Sequence, residues 1–210
     1  MTLPVLTALE RDPRRPGTIR VDVDGVRFGA VPEELARAAG LAIGRTVDAE
    51  LQERLTAAAD AEGAFRTLLR ALERRSFARA DLGRRLVRKG HPRHAVDAAL
   101  ERADGLGLLD DAAFVGNYIE TRAGRGRGPA RLVRDLLAMG VERALVDRAL
   151  AAHWPDGSDR TGVPRALAAK RAAQLGELPR PVKRRRVLAY LARRGFAGRD
   201  ISELVARVVD

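Results

Sequence analysis

One helical unit is written three times in this chain. Asp81 to Leu100 aligns with Arg131 to Leu150 at a shift of fifty residues, superposing Leu82 on Leu132, Leu86 on Leu136, Gly90 on Gly140, Val96 on Val146 and Leu100 on Leu150. A third copy, Val187 to Val205, sets Val187, Leu191, Gly195, Ile201 and Val205 in the places of Leu132, Leu136, Gly140, Val146 and Leu150. The spacing predicts a helix, a glycine stop and a second helix. Units of this kind cannot bury an apolar face alone, so they stack and leave an extended polar surface suited to a long partner.

A further apolar stripe precedes each copy. Phe65, Leu68, Leu69 and Leu72 form the first, Phe114, Tyr118 and Ile119 the second, and Pro164 to about Leu175 opens the third, so each unit has three helices. The joints are read at Ser76, at Gly105 to Asp110 with Asp110 as a cap, and at Leu178 to Pro181; Pro92 starts the helix that follows Gly90.

The first sixty residues follow another period. Thr18 to Phe28 alternates apolar and polar residues around Asp24-Gly25, a pair suited to a tight turn that needs positive φ, and this predicts a β-hairpin. Arg14 to Gly17 reads as a turn, Val31-Pro32-Glu33-Glu34 opens a helix that ends near Gly40, and Asp48 caps another from Ala49. The expected fold is mainly α: tandem three-helix repeats in three units behind a small N-terminal β-hairpin and helix domain. The segments are 1–60 for that extension, 61–104 and 105–153 for the first two repeats, 154–163 for a linker and 164–210 for the third repeat.

Charge narrows the partner. Residues 1–60 hold eight arginines against ten carboxylates, a net of −2, whereas 61–210 hold 31 basic against 18 acidic residues, a net of +13. A basic array points to a polyanion or an acidic protein groove. Arginine supplies 36 of the 39 basic residues, which fits bidentate recognition of phosphate or carboxylate and equally fits a GC-rich coding bias. With 4% aromatics the core must be built of Leu, Ala and Val. The absence of cysteine excludes disulfides and thiolate chemistry. No apolar run approaches the ~18 residues of a membrane span and no leader pattern opens the chain, so a soluble cytoplasmic protein without membrane contact is expected.

Two segments punctuate the array. Arg122 to Arg131 (RAGRGRGPAR) sets glycine-flanked arginines before a helix start, where backbone N–H groups and guanidinium forks can meet phosphate or carboxylate. It lacks the Gly-Lys-Ser/Thr ending of a nucleotide-binding loop, and a solvated connector is the competing reading. Trp154 to Val163 has the composition of an exposed linker. His91, His94 and His153 are too few for a metal centre without cysteine, Asp110-Asp111 reads as a helix cap, and neither GxSxG nor HExxH occurs, so no enzyme, metal or cofactor is expected.

The motif order carries a resemblance. Ser76-Phe77-Ala78-Arg79-Ala80-Asp81-Leu82, Lys89-Gly90, Gly107-Leu108-Leu109-Asp110-Asp111-Ala112-Ala113-Phe114, Arg122 with Gly126 to Arg131, Met139-Gly140-Val141 and Leu191 to Phe196 together resemble the RecX regulatory proteins, over about residues 65–209. The resemblance implies tandem three-helix repeats that bind the RecA filament on single-stranded DNA along its helical groove. It implies lowered ATPase, co-protease and strand-exchange activities in recombination and the SOS response, some direct DNA contact, and a monomer. Candidate contact residues are Arg122, Arg125, Arg127 and Arg131 in the glycine-arginine loop, and Lys183, Arg184, Arg185, Arg186, Arg193 and Arg194 in the last unit; a solvated helix face is the bland reading of the latter. The competing function, from charge alone, is a DNA- or RNA-binding helical protein acting without RecA.

Overall fold

The structure is a computed structural model that describes residues 3–209; residues 1, 2 and 210, the outermost positions of the first and last expected segments, lie outside the described residues. The chain forms two compact units, one up to Leu109 and one from Asp110.

The first unit opens with an antiparallel sheet in the order β1 (Leu6–Arg11), β2 (Thr18–Val23) and β3 (Val26–Pro32). The β2–β3 hairpin turns at Asp24-Gly25 with φ of 49° and 77°, as the sequence predicts. Strand β1 goes unannounced because its register shifts between Leu6 and Ala8, which breaks the alternation that marks a half-buried strand. Leu6, Val21 and Val31 bury one face of the sheet with Val47, Leu51 and Leu55. Helix α1 (Glu33–Ala38) follows, and then α2 (Ala49–Leu72), capped by the Asp48 carboxylate accepting the Leu51 N–H at 2.8 Å.

Helix α2 is one continuous element of 24 residues where the sequence suggested two. Its first half packs under the sheet, where a Cβ at Gly29 would stand 2.8 Å from Ala59 Cβ, and its second half supplies Ala64, Phe65 and Leu68 to the core of α3 (Arg79–Arg88) and α4 (Arg93–Gly105). The run of alanines at 57–59 carries no stripe of its own, which is why the helix looked interrupted at residue 60.

The second unit contains two helix triplets: α5 (Asp111–Gly124), α6 (Pro129–Ala138) and α7 (Arg143–His153), then α8 (Gly162–Gln174), α9 (Arg180–Arg194) and α10 (Arg199–Val209). Asp110 caps α5 by accepting the Ala113 N–H at 2.8 Å. Leu132, Leu136 and Val146 in one triplet, and Val187, Leu191 and Val205 in the other, are fully buried, each worth roughly 1.5–3 kcal/mol of transfer free energy.

The three aligned glycines stop their helices identically. Gly90, Gly140 and Gly195 have φ of 91°, 81° and 91°. Each donates its N–H to the carbonyl three residues back (Val87, Leu137, Ala192), and the next residue donates to Leu86, Leu136 or Leu191. This paired 5→2 and 6→1 bonding is the Schellman stop, which satisfies carbonyls that a helix end leaves open and needs a left-handed residue.

Candidate functional site

The glycine-arginine loop between α5 and α6 is a packed joint of the second unit. Gly126 and Gly128 are buried. The Gly128 N–H donates to Arg194 O at 2.7 Å and the Ala130 N–H to Gly195 O at 3.3 Å, so the loop closes off the last carbonyls of α9. The approach is at backbone distance: a Cβ on Gly128 would lie 2.5 Å from Gly195 O and 2.8 Å from Phe196 Cδ1. This corrects the reading of a solvated connector, and it withdraws those two N–H groups from any external anion.

Side chains complete the joint. The Arg127 Nη1 donates to Asp135 Oδ2 at 2.5 Å and to the Tyr118 hydroxyl at 3.2 Å, while Arg131 Nε lies 2.9 Å from Asp135 Oδ1. Asp135 thus holds two guanidinium groups, and the Tyr118 hydroxyl donates to it at 3.4 Å. Burial, then the Asp135 charge, raises the Tyr118 pKa above its ordinary value of 10.0. Arg122 lies over the Tyr118 ring at 5.4 Å, and Arg194 lies over Tyr190 at 4.9 Å while reaching Gly126 O at 3.4 Å. Of the loop arginines Arg125 is the exposed one. Arg127→Ala is therefore expected to destabilise the second unit by roughly 1–3 kcal/mol through the unpaired carboxylate, while Arg125→Ala leaves the denaturation midpoint unchanged; urea titration of the two variants checks this.

Helix α9 presents the other basic group. Val187 and Leu191 anchor its buried side, Arg184, Arg185, Arg186 and Arg193 are exposed, and Lys183 is half-buried. Arg186 and Arg193, seven residues apart, share one stripe about 10 Å in length. No ion pair found among the described residues involves Lys183 or these four arginines. Arg184 and Arg185 flank a groove of about 470 Å³ between α9 and α10, floored by Leu188, Ala206 and Val209. The ten candidate residues thus divide: Arg127, Arg131 and Arg194 face inward to the joint, Arg122 lies half-buried over a ring, and Arg125, Lys183, Arg184, Arg185, Arg186 and Arg193 are available outward.

The segment between α7 and α8 is also tied down locally. Arg160 donates to Trp154 O at 2.7 Å, and Asp159 accepts the Thr161 N–H and hydroxyl at 2.7 and 2.6 Å, which holds its carboxyl below the usual range. Among the described residues no helix is long and apolar enough to cross a membrane.

Family models meet this geometry at the same elements. The model of the second three-helix domain of RecX matches residues 110–150, which contain α5 to α7 apart from the last turn, and that of the third three-helix domain matches 165–205. The regulatory protein RecX of Xanthomonas oryzae pv. oryzae (strain MAFF 311018) is 34% identical over 130 residues, 62% of this chain and 79% of that protein. The chain belongs to the RecX family. The regulatory protein RecX of Mycobacterium ulcerans (strain Agy99) is 35% identical over 139 residues, 65% of this chain and 79% of that one. A crystal structure of regulatory protein RecX shares the fold with a TM-score of 0.76 at 21% identity, covering 98% of this chain and 100% of that chain. The crystal structure of RecX from Lactobacillus salivarius gives 0.60 at 18%, over 72% of this chain and 97% of that one.

Proposed function

We propose that this chain is a non-enzymatic regulator that binds the RecA filament on single-stranded DNA in its helical groove and lowers its ATPase, co-protease and strand-exchange activities. The observation that carries this reading is the outward basic face of α9, set by a rigid glycine joint within a RecX family fold. Six cations that figure in no ion pair found among the described residues, five on α9 with Arg125 in the loop, form a surface for an acidic groove lining, and charge-assisted pairs to carboxylates contribute about 1.5–3 kcal/mol each. Arg127, Arg131 and Arg194 act by fixing the loop and helix that carry Arg125 and Arg193. The protein works in the cytoplasm as a monomer of three helix triplets, residues 61–104, 105–153 and 164–210, behind the 1–60 extension, and needs no cofactor.

Titrating the protein into RecA turning over ATP on single-stranded DNA tests this. The expected result is a saturable fall in ATPase rate together with co-sedimentation with filaments. An unchanged rate at excess protein, without co-sedimentation, would leave only the second reading, a nucleic-acid-binding helical protein acting without RecA, which the +13 of residues 61–210 supports.

A further inference from the structure

The most concentrated positive charge of the first unit lies where the segment totals of the sequence conceal it. A cleft of about 600 Å³ between β2, β3 and α2 is lined by Arg14, Arg15, Arg20, Arg27 and Arg66 with Asp12 as the one carboxylate. A second cleft of about 720 Å³ follows along α2 toward α3, lined by Arg70, Arg74, Arg75, Arg88 and Lys89 among others and by no carboxylate. Arg66 and Arg70 join the two, because residues four apart share a helix face and rise about 6 Å, and Arg74 follows in the turn just past the end of α2.

Four of the nearby carboxylates are engaged at the margins of this strip or elsewhere, while the exposed Glu73 lines neither cleft. Asp12 is buried under Arg15 at 3.5 Å, Asp22 takes Arg27 at 2.7 Å, Asp81 takes Arg85 at 2.9 Å, and Glu62 is buried against Arg102 at 2.9 Å. Arg70, Arg74 and Arg88 are exposed and figure in no ion pair found among the described residues. Within the sheet-side cleft the Nε atoms of Arg20 and Arg66 are buried with no hydrogen-bond partner. Burial, then the like charges of Arg15 and Arg70, lowers the Arg66 pKa. Such crowding is relieved by an anion.

We propose that the first unit binds the sugar-phosphate backbone of a nucleic-acid strand along a cationic track that runs from Arg20 on β2 over Arg66, Arg70 and Arg74 to Arg88 on α3. The chemistry of the track selects this ligand over an acidic protein. Protein interfaces centre on apolar anchors, and here the aromatic ring of the second cleft, Phe77, is buried beneath the guanidinium groups of Arg75 and Arg85, 4.1 and 4.9 Å from its centroid. Arg75 is exposed while its guanidinium lies over the ring, and a planar guanidinium can meet phosphate oxygens in a fork. The two α2 arginines, Arg66 and Arg70, stand about 6 Å apart along the helix, the length of about two phosphates at ~3.4 Å per nucleotide, and Arg74 extends the row past the helix end. With Phe77 covered, neither cleft is lined by an open Phe, Tyr or Trp ring for base stacking, so the track reads backbone and not sequence.

The site is separate from the α9 face, and its test is separate as well. Fluorescence anisotropy of a labelled 20-nucleotide oligothymidylate is measured with the full chain across a range of salt concentrations. In the variant R70A/R74A/R88A, affinity is expected to fall at least tenfold, and the slope of log affinity against log salt to shrink by about 2, close to 0.7 for each lost phosphate contact. The charge-conserving R70K/R74K/R88K should keep the slope and lose only a few-fold, and R185A/R186A/R193A on α9 should leave both quantities unchanged. Circular dichroism melting confirms that all variants are folded. Unchanged affinity and slope in R70A/R74A/R88A would overturn the proposal, and so would transfer of the loss to the α9 variant. An unaltered oligonucleotide affinity combined with a lost RecA response would instead assign the track to an acidic protein surface and overturn it too.

Discussion

Gly195→Ala is expected to destabilise the second unit by about 3 kcal/mol, far more than the same change at Gly90, although the two glycines end equivalent helices. At both positions φ is 91°, and a Cβ in the left-handed region costs roughly 1–2 kcal/mol. At Gly90 that is the whole effect, since a Cβ there meets nothing within 4 Å. At Gly195 the Cβ would lie 2.5 Å from Arg131 Cβ and against the Arg131 backbone nitrogen. That atom belongs to the first turn of α6 and cannot swing away as a side-chain tip can. Relief requires α6 to move off α9, which stretches the Gly128 to Arg194 and Ala130 to Gly195 hydrogen bonds and adds the 1–3 kcal/mol typical of overpacking. Chemical denaturation of the two variants decides it. Equal losses at Gly90 and Gly195 would show that the joint tolerates separation and that the glycines act only as helix stops.

The same comparison shows what was legible in the sequence. A Schellman stop is a local device: its two hydrogen bonds span at most five residues, and the apolar positions on either side repeat at helical spacing, so the aligned glycines mark the triplets without any knowledge of tertiary contacts. The close approach of Gly128 to Gly195 joins residues 67 positions apart, and nothing in the pattern of either segment names the other. Glycine beside arginine is also the composition of a flexible loop, and what turns it into a packed joint is Asp135, one turn inside α6, which gathers Arg127 and Arg131. Nothing in the helical pattern of α6 sets Asp135 apart from an ordinary exposed acid.

Charge was the less legible property. Summed over residues 1–60 it is slightly negative, which argued against a polyanion site there, yet the sum mixes carboxylates with quite different tasks. Asp48 caps α2, Asp24 accepts the Val5 N–H at 2.9 Å, and Glu33 pairs with Arg11 at 2.8 Å, all away from the arginines that gather above α2. Helix α2, running through residue 60, is what brings Arg66 against Arg15 and Arg20; removing 1–60 would cut that helix and take away the sheet and the Leu51 and Leu55 core it packs on. Segment sums report charge along the chain, whereas a partner meets charge on a surface.

The outward arginines of α9 allow loss of binding to be separated from loss of fold. Arg180 and Lys183 occupy its first turn and Arg184, Arg185 and Arg186 its second, with no acid in the first turn, so the cations crowd the positive end of the helix macrodipole. Alanine at 184, 185 and 186 removes like-charge repulsion and introduces the residue of highest helix propensity. Stability of R184A/R185A/R186A is therefore expected to be unchanged or higher, by a few tenths of a kcal/mol, while three charge-assisted contacts of about 1.5–3 kcal/mol each are lost to the filament. Allowing for non-additivity, the concentration needed to halve the RecA ATPase should rise roughly a hundredfold, about 2.8 kcal/mol. A melting curve and an ATPase titration on one preparation give both numbers. If inhibition persists at the wild-type concentration in a variant that melts no lower, α9 is a solvated face, and the filament contact must be sought at Arg125 or in the first unit.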